Sequence, residues 1–179
     1  MPKALDDVRI VDLTRVIAGP YATSLLGDMG AQIIKIELPG RGDDARYGYP
    51  SVDGVPLVFL ALNRNKKGIT LDVRKPQGAE IFRRLVADAD VVVENFAAGT
   101  MDKWGLGYDA VSKINPRLIY ATLSGFGQTG PYARRTSYDI IAQAMGGLMA
   151  MTGFPEGPQP AAGGPWVISS AACSRQSAS

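Results

Sequence analysis

Residues 8–37 read VRIVDLTRVIAGPYATSLLGDMGAQIIKIE, and the change of texture along them decides the fold. Two runs rich in β-branched residues, VRIVDL at 8–13 and QIIKIE at 32–37, flank PYATSLLGDMG, which opens on Pro20 and closes on Gly30. Proline is at home in the first turn of a helix and glycine just past its end, so the stretch predicts strand, helix, strand. Farther along, VVVEN from Val91 and LIYATL from Leu118 lack the alternation of a sheet wet on one face, and they read as buried parallel strands. Before Val91, KPQGAEIFRRLVADAD has Pro76 near its start and sets Ile81, Phe82, Leu85 and Val86 on one helical face. Strands and helices alternating in this way pack most economically as a doubly wound, mostly parallel α/β sheet.

Two loops, at 39–56 and 124–136, fall where strands hand over to the next element, which is where such sheets place ligands. From Ser137, SYDIIAQAMGGLMAM predicts a helix with Ser137 as N-cap, and beyond Gly153 no periodicity remains.

The chain has 179 residues, 46% of them apolar and 20% charged, enough for one domain with a filled core. A formal net charge of +2, with no run of five or more like charges, offers no field for a nucleic acid or a membrane. The lone Cys173 cannot close an internal disulfide, and the amino-terminal MPKALDDVRIVDL lacks the apolar stretch of a signal peptide, so a cytoplasmic setting is expected. There is no histidine. Its absence removes Ser-His-Asp and Cys-His nucleophiles and the commonest metal ligand, so no metal site is expected, and acid-base work falls to carboxylates, Lys, Tyr or Cys.

A dinucleotide site needs Gly-x-Gly-x-x-Gly after the first strand, because the pyrophosphate must approach bare backbone. Here the turn is TRVIAGPYA, with Gly19 as its one glycine. NRNKKGITLDVRKPQG gathers Arg64, Lys66, Lys67, Arg74 and Lys75, which taken alone reads as a solvated basic surface. In ENFAAGTMDKWGLGY, Asn95 and Phe96 follow a strand and Lys103 sits beside Trp104. An amide, an aromatic face and ammonium groups at strand ends suit a ligand that combines an adenine ring with phosphates.

These blocks, together with NPRLIYATLSGFGQTGPY and SYDIIAQAMGG, resemble the amino-terminal half of the family III CoA-transferases, the formyl-CoA and carnitine CoA-transferase group. The resemblance implies a Rossmann-like, CoA-binding α/β domain over residues 1–166, the amino-terminal portion of the family fold in truncated form. It implies coenzyme A, as acyl-CoA, and a carboxylic acid as substrates, with no metal. It also implies a homodimer of interlocked rings, a pairing not expected to form properly from this chain. By the same resemblance, CoA contacts fall on Ile17 and Ala18, on Leu71, Asp72, Val73 and Arg74, on Asn95, Phe96 and Ala97, on Lys103, and on Thr136, Ser137, Tyr138 and Asp139. Where formyl-CoA transferases carry an Arg after the second strand, this chain has Leu38, with Arg41 and Arg46 as the nearby cations.

The related acyl-CoA racemases place a His before the Asp-Ile pair, whereas this chain has Tyr138 before Asp139 and Ile140. A phenol is a poor base at neutral pH for an α-proton, so the transferase pattern is preferred over the racemase one. The resembling transferases use an Asp as nucleophile, which takes the acyl group as a mixed anhydride and then carries CoA as a thioester. At the corresponding place stands Ile168, which cannot attack a carbonyl carbon, so the catalytic set is expected to be empty. Residues 167–179 read as a non-homologous tail, disordered or frameshifted, because codons for Trp166, Val167, Ile168 and Ser169 exist that give Gly-Asp-Ile in another frame. The expectation is therefore a CoA-transferase by descent that is inactive as it stands, with a noncatalytic CoA-binding module as the alternative.

Overall fold

The computed structural model describes residues 2–153 and 156–163. In chain order the elements are β1 (Arg9–Asp12), α1 (Ala18–Asp28), β2 (Gln32–Glu37), the short hairpin β3 (Ser51–Val52) and β4 (Val55–Pro56), α2 (Leu57–Asn63) and β5 (Lys66–Thr70). They continue with α3 (Pro76–Ala87), β6 (Val91–Glu94), α4 (Thr100–Lys103), α5 (Tyr108–Val111), β7 (Ile119–Thr122) and α6 (Asp139–Met145). Single 3-10 turns lie at Asp44–Tyr47 and Met149–Met151.

Five strands form one parallel sheet in the order β5-β2-β1-β6-β7. The chain winds outward from β1 through β2 to β5, then returns to the other side of β1 for β6 and β7. The strand order reverses between β1 and β6, so the crevice at their carboxyl ends is the topological switch point. Helices cover both faces, as the alternation of helix and strand predicts.

One face packs Val11, Leu13, Ile36 and Val92 against Phe82 and Val86 of α3, Met101 of α4 and Val111 of α5. The other packs Ile10, Ile33 and Val93 with Leu26 of α1. Alternation along β1 and β2 therefore sends Asp12, Lys35 and Glu37 to the α1 face, and it sends Glu94 at the end of β6 to the α3 face.

Several boundaries differ from the sequence reading. Helix α1 begins at Ala18, two residues before Pro20, because the proline sits in the first turn, where its missing N–H has no intrahelical partner to lose. Strand β5 was hidden within a lysine-rich run read as solvated surface. Strand β7 lies at the sheet edge, and Ile119 is 61% exposed, so this run is not buried on both faces. On α3, Phe82 and Val86 are fully buried while Ile81 stays exposed on the rim of an open groove of about 420 Å³. Ser137 is not an N-cap; Tyr138 takes that position, and the Ser137 hydroxyl bonds to the Tyr138 carbonyl at 3.3 Å. The serine is occupied elsewhere, since a Cβ on Gly125 would lie 2.1 Å from the Ser137 Cβ, and only glycine permits that approach.

Candidate functional site

At the switch point the loops that leave β1 and β6 are joined across 80 residues of sequence. The Arg15 N–H donates to Asn95 Oδ1 at 2.8 Å, and Asn95 Nδ2 donates to the Arg15 carbonyl at 2.8 Å. The Arg15 guanidinium lies 5.0 Å from the centre of the Phe96 ring, whose other neighbour is Trp104, edge-on at 5.2 Å. Asn95, Phe96 and Ala97 thus share one rim with Arg15, and Lys103 is exposed at the end of α4 beside Trp104. Ile17 and Ala18 open α1 at the same rim, with no side chain capping the helix. Gly19 lets α1 dock there, because a Cβ would come within 2.2 Å of the Thr14 Cβ. Sequence reasoning missed Arg15, although a cation directly before the Val16–Ile17–Ala18 turn was visible.

Beneath this rim lies a network of buried charge on the α1 face. Asp12 is fully buried; it accepts from the Thr14 N–H at 2.8 Å, the Thr14 hydroxyl, the Thr23 hydroxyl at 2.7 Å and Lys66 Nζ at 3.1 Å. Lys66 Nζ also donates to the Thr23 hydroxyl at 2.7 Å and the Pro20 carbonyl at 3.0 Å. Its side chain is 1% exposed, which corrects the solvated reading of this lysine. Burial pulls the ammonium below the usual lysine range, with the Asp12 carboxylate opposing it. Next to it, Lys35 Nζ donates to the Thr14 carbonyl at 2.8 Å and to Asp43 Oδ2 at 2.9 Å. Asp43 Oδ1 in turn accepts from the Val16 N–H at 2.9 Å and the Ala45 N–H at 3.0 Å. Val16 has φ +69°, a region that costs a β-branched residue about 1–3 kcal/mol and persists only where the surroundings hold it.

The remaining sequence-selected residues fall in three places. Leu71 and Val73, after β5, pack into the same cluster as Phe96 and Trp104. Asp72 and Arg74 pair with each other at 2.7 and 2.9 Å, so that the guanidinium holds the Asp72 carboxyl below its ordinary value. Thr136, Ser137 and Tyr138 precede α6 and Asp139 is its first residue, beside the loop that follows β7; Tyr138 is 71% exposed and Asp139 lies within hydrogen-bonding reach of Gln143. Of the two cations near Leu38, Arg41 pairs with Asp44 at 2.8 Å. Arg46 is bound through two nitrogens to Glu37 at 2.6 and 2.9 Å and stacks 3.8 Å from the Phe59 ring centre, so it is committed within the fold. Burial acts to raise the Glu37 carboxyl, but the Arg46 guanidinium and the Asp43 N–H outweigh it and leave the carboxyl below its ordinary value. Ile168 and the rest of 167–179 lie outside the described residues.

Glu94 closes β6 directly below Asn95. It is 5% exposed, and its Oε2 accepts the Phe96 N–H at 2.6 Å. Burial raises its pKa to about 7, and the Asp102 carboxylate adds to the shift. The buried Tyr120 hydroxyl beside it has no hydrogen-bond partner among the described residues, and burial together with Glu94 pushes that phenol well above its usual range. Among the described residues no three Asp, Glu or Cys side chains gather as a metal cage would, and no helix is long and apolar enough to cross a membrane.

A parallel sheet of this order, with helices on both faces, defines a doubly wound α/β domain, and comparison with known proteins specifies which. The family model for CoA-transferase family III matches residues 5–175, and the chain belongs to that family. It is 51% identical to the succinyl-CoA:glutarate CoA-transferase of Mus musculus over 156 residues, 87% of this chain and 36% of that protein. It is 50% identical to the acetyl-CoA:oxalate CoA-transferase of Acetobacter aceti, over 89% of this chain and 41% of that one. The crystal structure of a CAIB/BAIF family protein from Brucella suis superposes with a TM-score of 0.88 at 45% identity, covering 94% of this chain and 46% of that chain. The chain thus spans less than half the length of each of these relatives.

Proposed function

We propose that this chain supplies the coenzyme A-holding loops of a CoA-transferase that moves CoA between an acyl-CoA and a carboxylic acid. The observation that carries the reading is the reciprocal Arg15–Asn95 bond, which makes one rim of the turn before α1 and the loop after β6. That rim offers a cation at Arg15, an aromatic edge at Phe96 and an exposed ammonium at Lys103, a set suited to an adenine ring and phosphates. The family and the names of the relatives, one acting on oxalate and one on glutarate, support CoA thioesters and small carboxylic acids as the substrate class.

In this reading Ile17, Ala18, Leu71 to Arg74, Asn95 to Ala97 and Lys103 contact the coenzyme, and Thr136 to Asp139 approach it from the far side of the crevice. The transfer itself runs through an aspartyl nucleophile, a position at which this chain carries Ile168. The chain as written therefore holds CoA without turning it over, in a cytoplasmic setting. We assign the exposed Ile140, Ile141 and Met145 of α6 to a surface that an interlocked second subunit covers in full-length members of the family, a pairing not expected to form properly from this chain.

Titration calorimetry with CoA, and exchange of a labelled acyl-CoA against carboxylic acids, test this reading together. CoA should bind with a Kd weaker than about 1 μM, since one rim supplies only part of the burial a tight ligand needs. No transfer and no covalent adduct should be seen by mass spectrometry. Turnover with an acyl-enzyme adduct overturns the assignment of residue 168, and complete absence of CoA binding overturns the site.

A further inference from the structure

The turn between β1 and α1 contains a non-glycine residue at positive φ, Val16, at a point where the chain is otherwise free to relax toward solvent, Val16 being 38% exposed. Two side chains from elsewhere hold it. Asp43, from the loop after β2, takes the Val16 N–H on Oδ1. Lys35, from β2 itself, takes the Thr14 carbonyl and clamps Asp43 Oδ2 with the same ammonium. Their side chains are 2% and 0% exposed, so neither charge is available to a ligand.

We propose that Lys35 and Asp43 are positioning residues, a buried ion pair whose role is to hold the turn at residues 14–17 in its strained conformation and so fix Arg15, Ile17 and Ala18 at the binding rim. The geometry supports a dedicated clamp over a generic buried pair. An ion pair that served burial alone would satisfy itself; here each partner spends a further hydrogen bond on the backbone of one turn, on either side of Arg15. A second Asp43 bond, to the Ala45 N–H, ties the clamp to the 3-10 turn at Asp44–Tyr47, and its own N–H bonds to Glu37 Oε2 at 3.1 Å, so the carboxylate cannot follow the turn if it relaxes. The ligand consequence rests on the coenzyme reading above; the clamp itself does not.

The test uses the whole chain with two readouts, amide hydrogen exchange at Val16, Ile17 and Ala18, and calorimetric titration with CoA. Asp43→Ala is expected to speed Val16 exchange, and to weaken CoA, by about tenfold or more, the loss of one charge-assisted hydrogen bond. Asp43→Asn keeps an oxygen for the Val16 N–H and should recover most of the exchange protection. Val86→Ala, in the core on the opposite face, lowers the melting temperature and should leave CoA affinity unchanged. If Asp43→Ala fails to fold, Lys35→Met carries the comparison through exchange at Ile17 and Ala18 and through CoA affinity, because it frees the Thr14 carbonyl while Asp43 keeps the Val16 N–H. Exchange at residues 16–18 unchanged in these variants, or changed only as far as Val86→Ala changes it, overturns the proposal. A wild-type chain that binds no CoA, yet shows Asp43-dependent protection of Val16, overturns the coenzyme reading and upholds the clamp.

Discussion

On the α1 face of the sheet Asp12, Lys35, Asp43 and Lys66 are sealed from solvent and each meets a counter-charge, whereas on the α3 face Glu94 is 5% exposed and meets no cation among the described residues. A buried charge must be paired or neutralised. The α1 face pairs its charges and uses them to hold a loop; the α3 face, walled by Phe82, Val92, Met101 and Leu106, leaves its one carboxyl to shift its proton instead. Each solution ends on a backbone N–H of the rim, Val16 on one side and Phe96 on the other. One side of the rim is therefore anchored by charges that pair at neutral pH, and the other by a group that titrates there.

Breaking the apolar face should have the largest effect. Phe82→Ala empties a fully buried ring site and is expected to cost about 3–5 kcal/mol, read as a fall in the urea midpoint. A loss under about 1 kcal/mol would mean the α3 face collapses around the cavity and is not a rigid wall. Lys66→Met comes next: it leaves Asp12 charged and buried with only the Thr14 and Thr23 donors, at an expected cost of about 3 kcal/mol in the same measurement.

The pH profile sharpens the contrast. The folded Glu94 carboxyl titrates near 7, above the ordinary value of 4.5, so the native chain keeps a proton that the unfolded chain has released. Stability from this group is full below about 4.5, falls as pH rises to about 7 and is level beyond, for a total of roughly 3 kcal/mol. Glu94→Gln should flatten that slope in urea titrations between pH 5 and pH 8; a slope that survives the substitution would place the titration elsewhere. The smallest effect belongs to the solvent side of α3, where Arg84→Ala removes the exposed pair with Glu80 and should shift stability by less than about 0.5 kcal/mol. A larger loss would show that the guanidinium stem packs over the groove beside Ile81.

Much of this architecture was legible because its signals are local. Strand, helix and strand at 8–37 follow from β-branched runs bracketing a proline-to-glycine segment, and β2 occupies the residues of QIIKIE. Phe82 and Val86 follow from helical periodicity, and the rim residues Asn95 and Phe96 from their place after a buried strand. The absence of histidine, and an isoleucine at 168, are likewise facts of the sequence that no packing can alter.

Tertiary structure alone decided which charges are buried and what they hold. Lys66 sits among Arg64, Lys67, Arg74 and Lys75 and looks like its neighbours until parallel pairing of β5 with β2 carries it over Asp12, 54 residues away in the chain. Lys35 occupies an interior strand position where an apolar residue would be ordinary, and its partner Asp43 lies in a loop whose path no periodicity predicts. The Arg15–Asn95 lock spans 80 residues and exists because the strand order reverses between β1 and β6. Local patterns report which side of an element is apolar, through the period of the helix or the pleat. The fate of a charge depends on the one partner that register and crossover bring within about 3 Å of it, and that information is nonlocal.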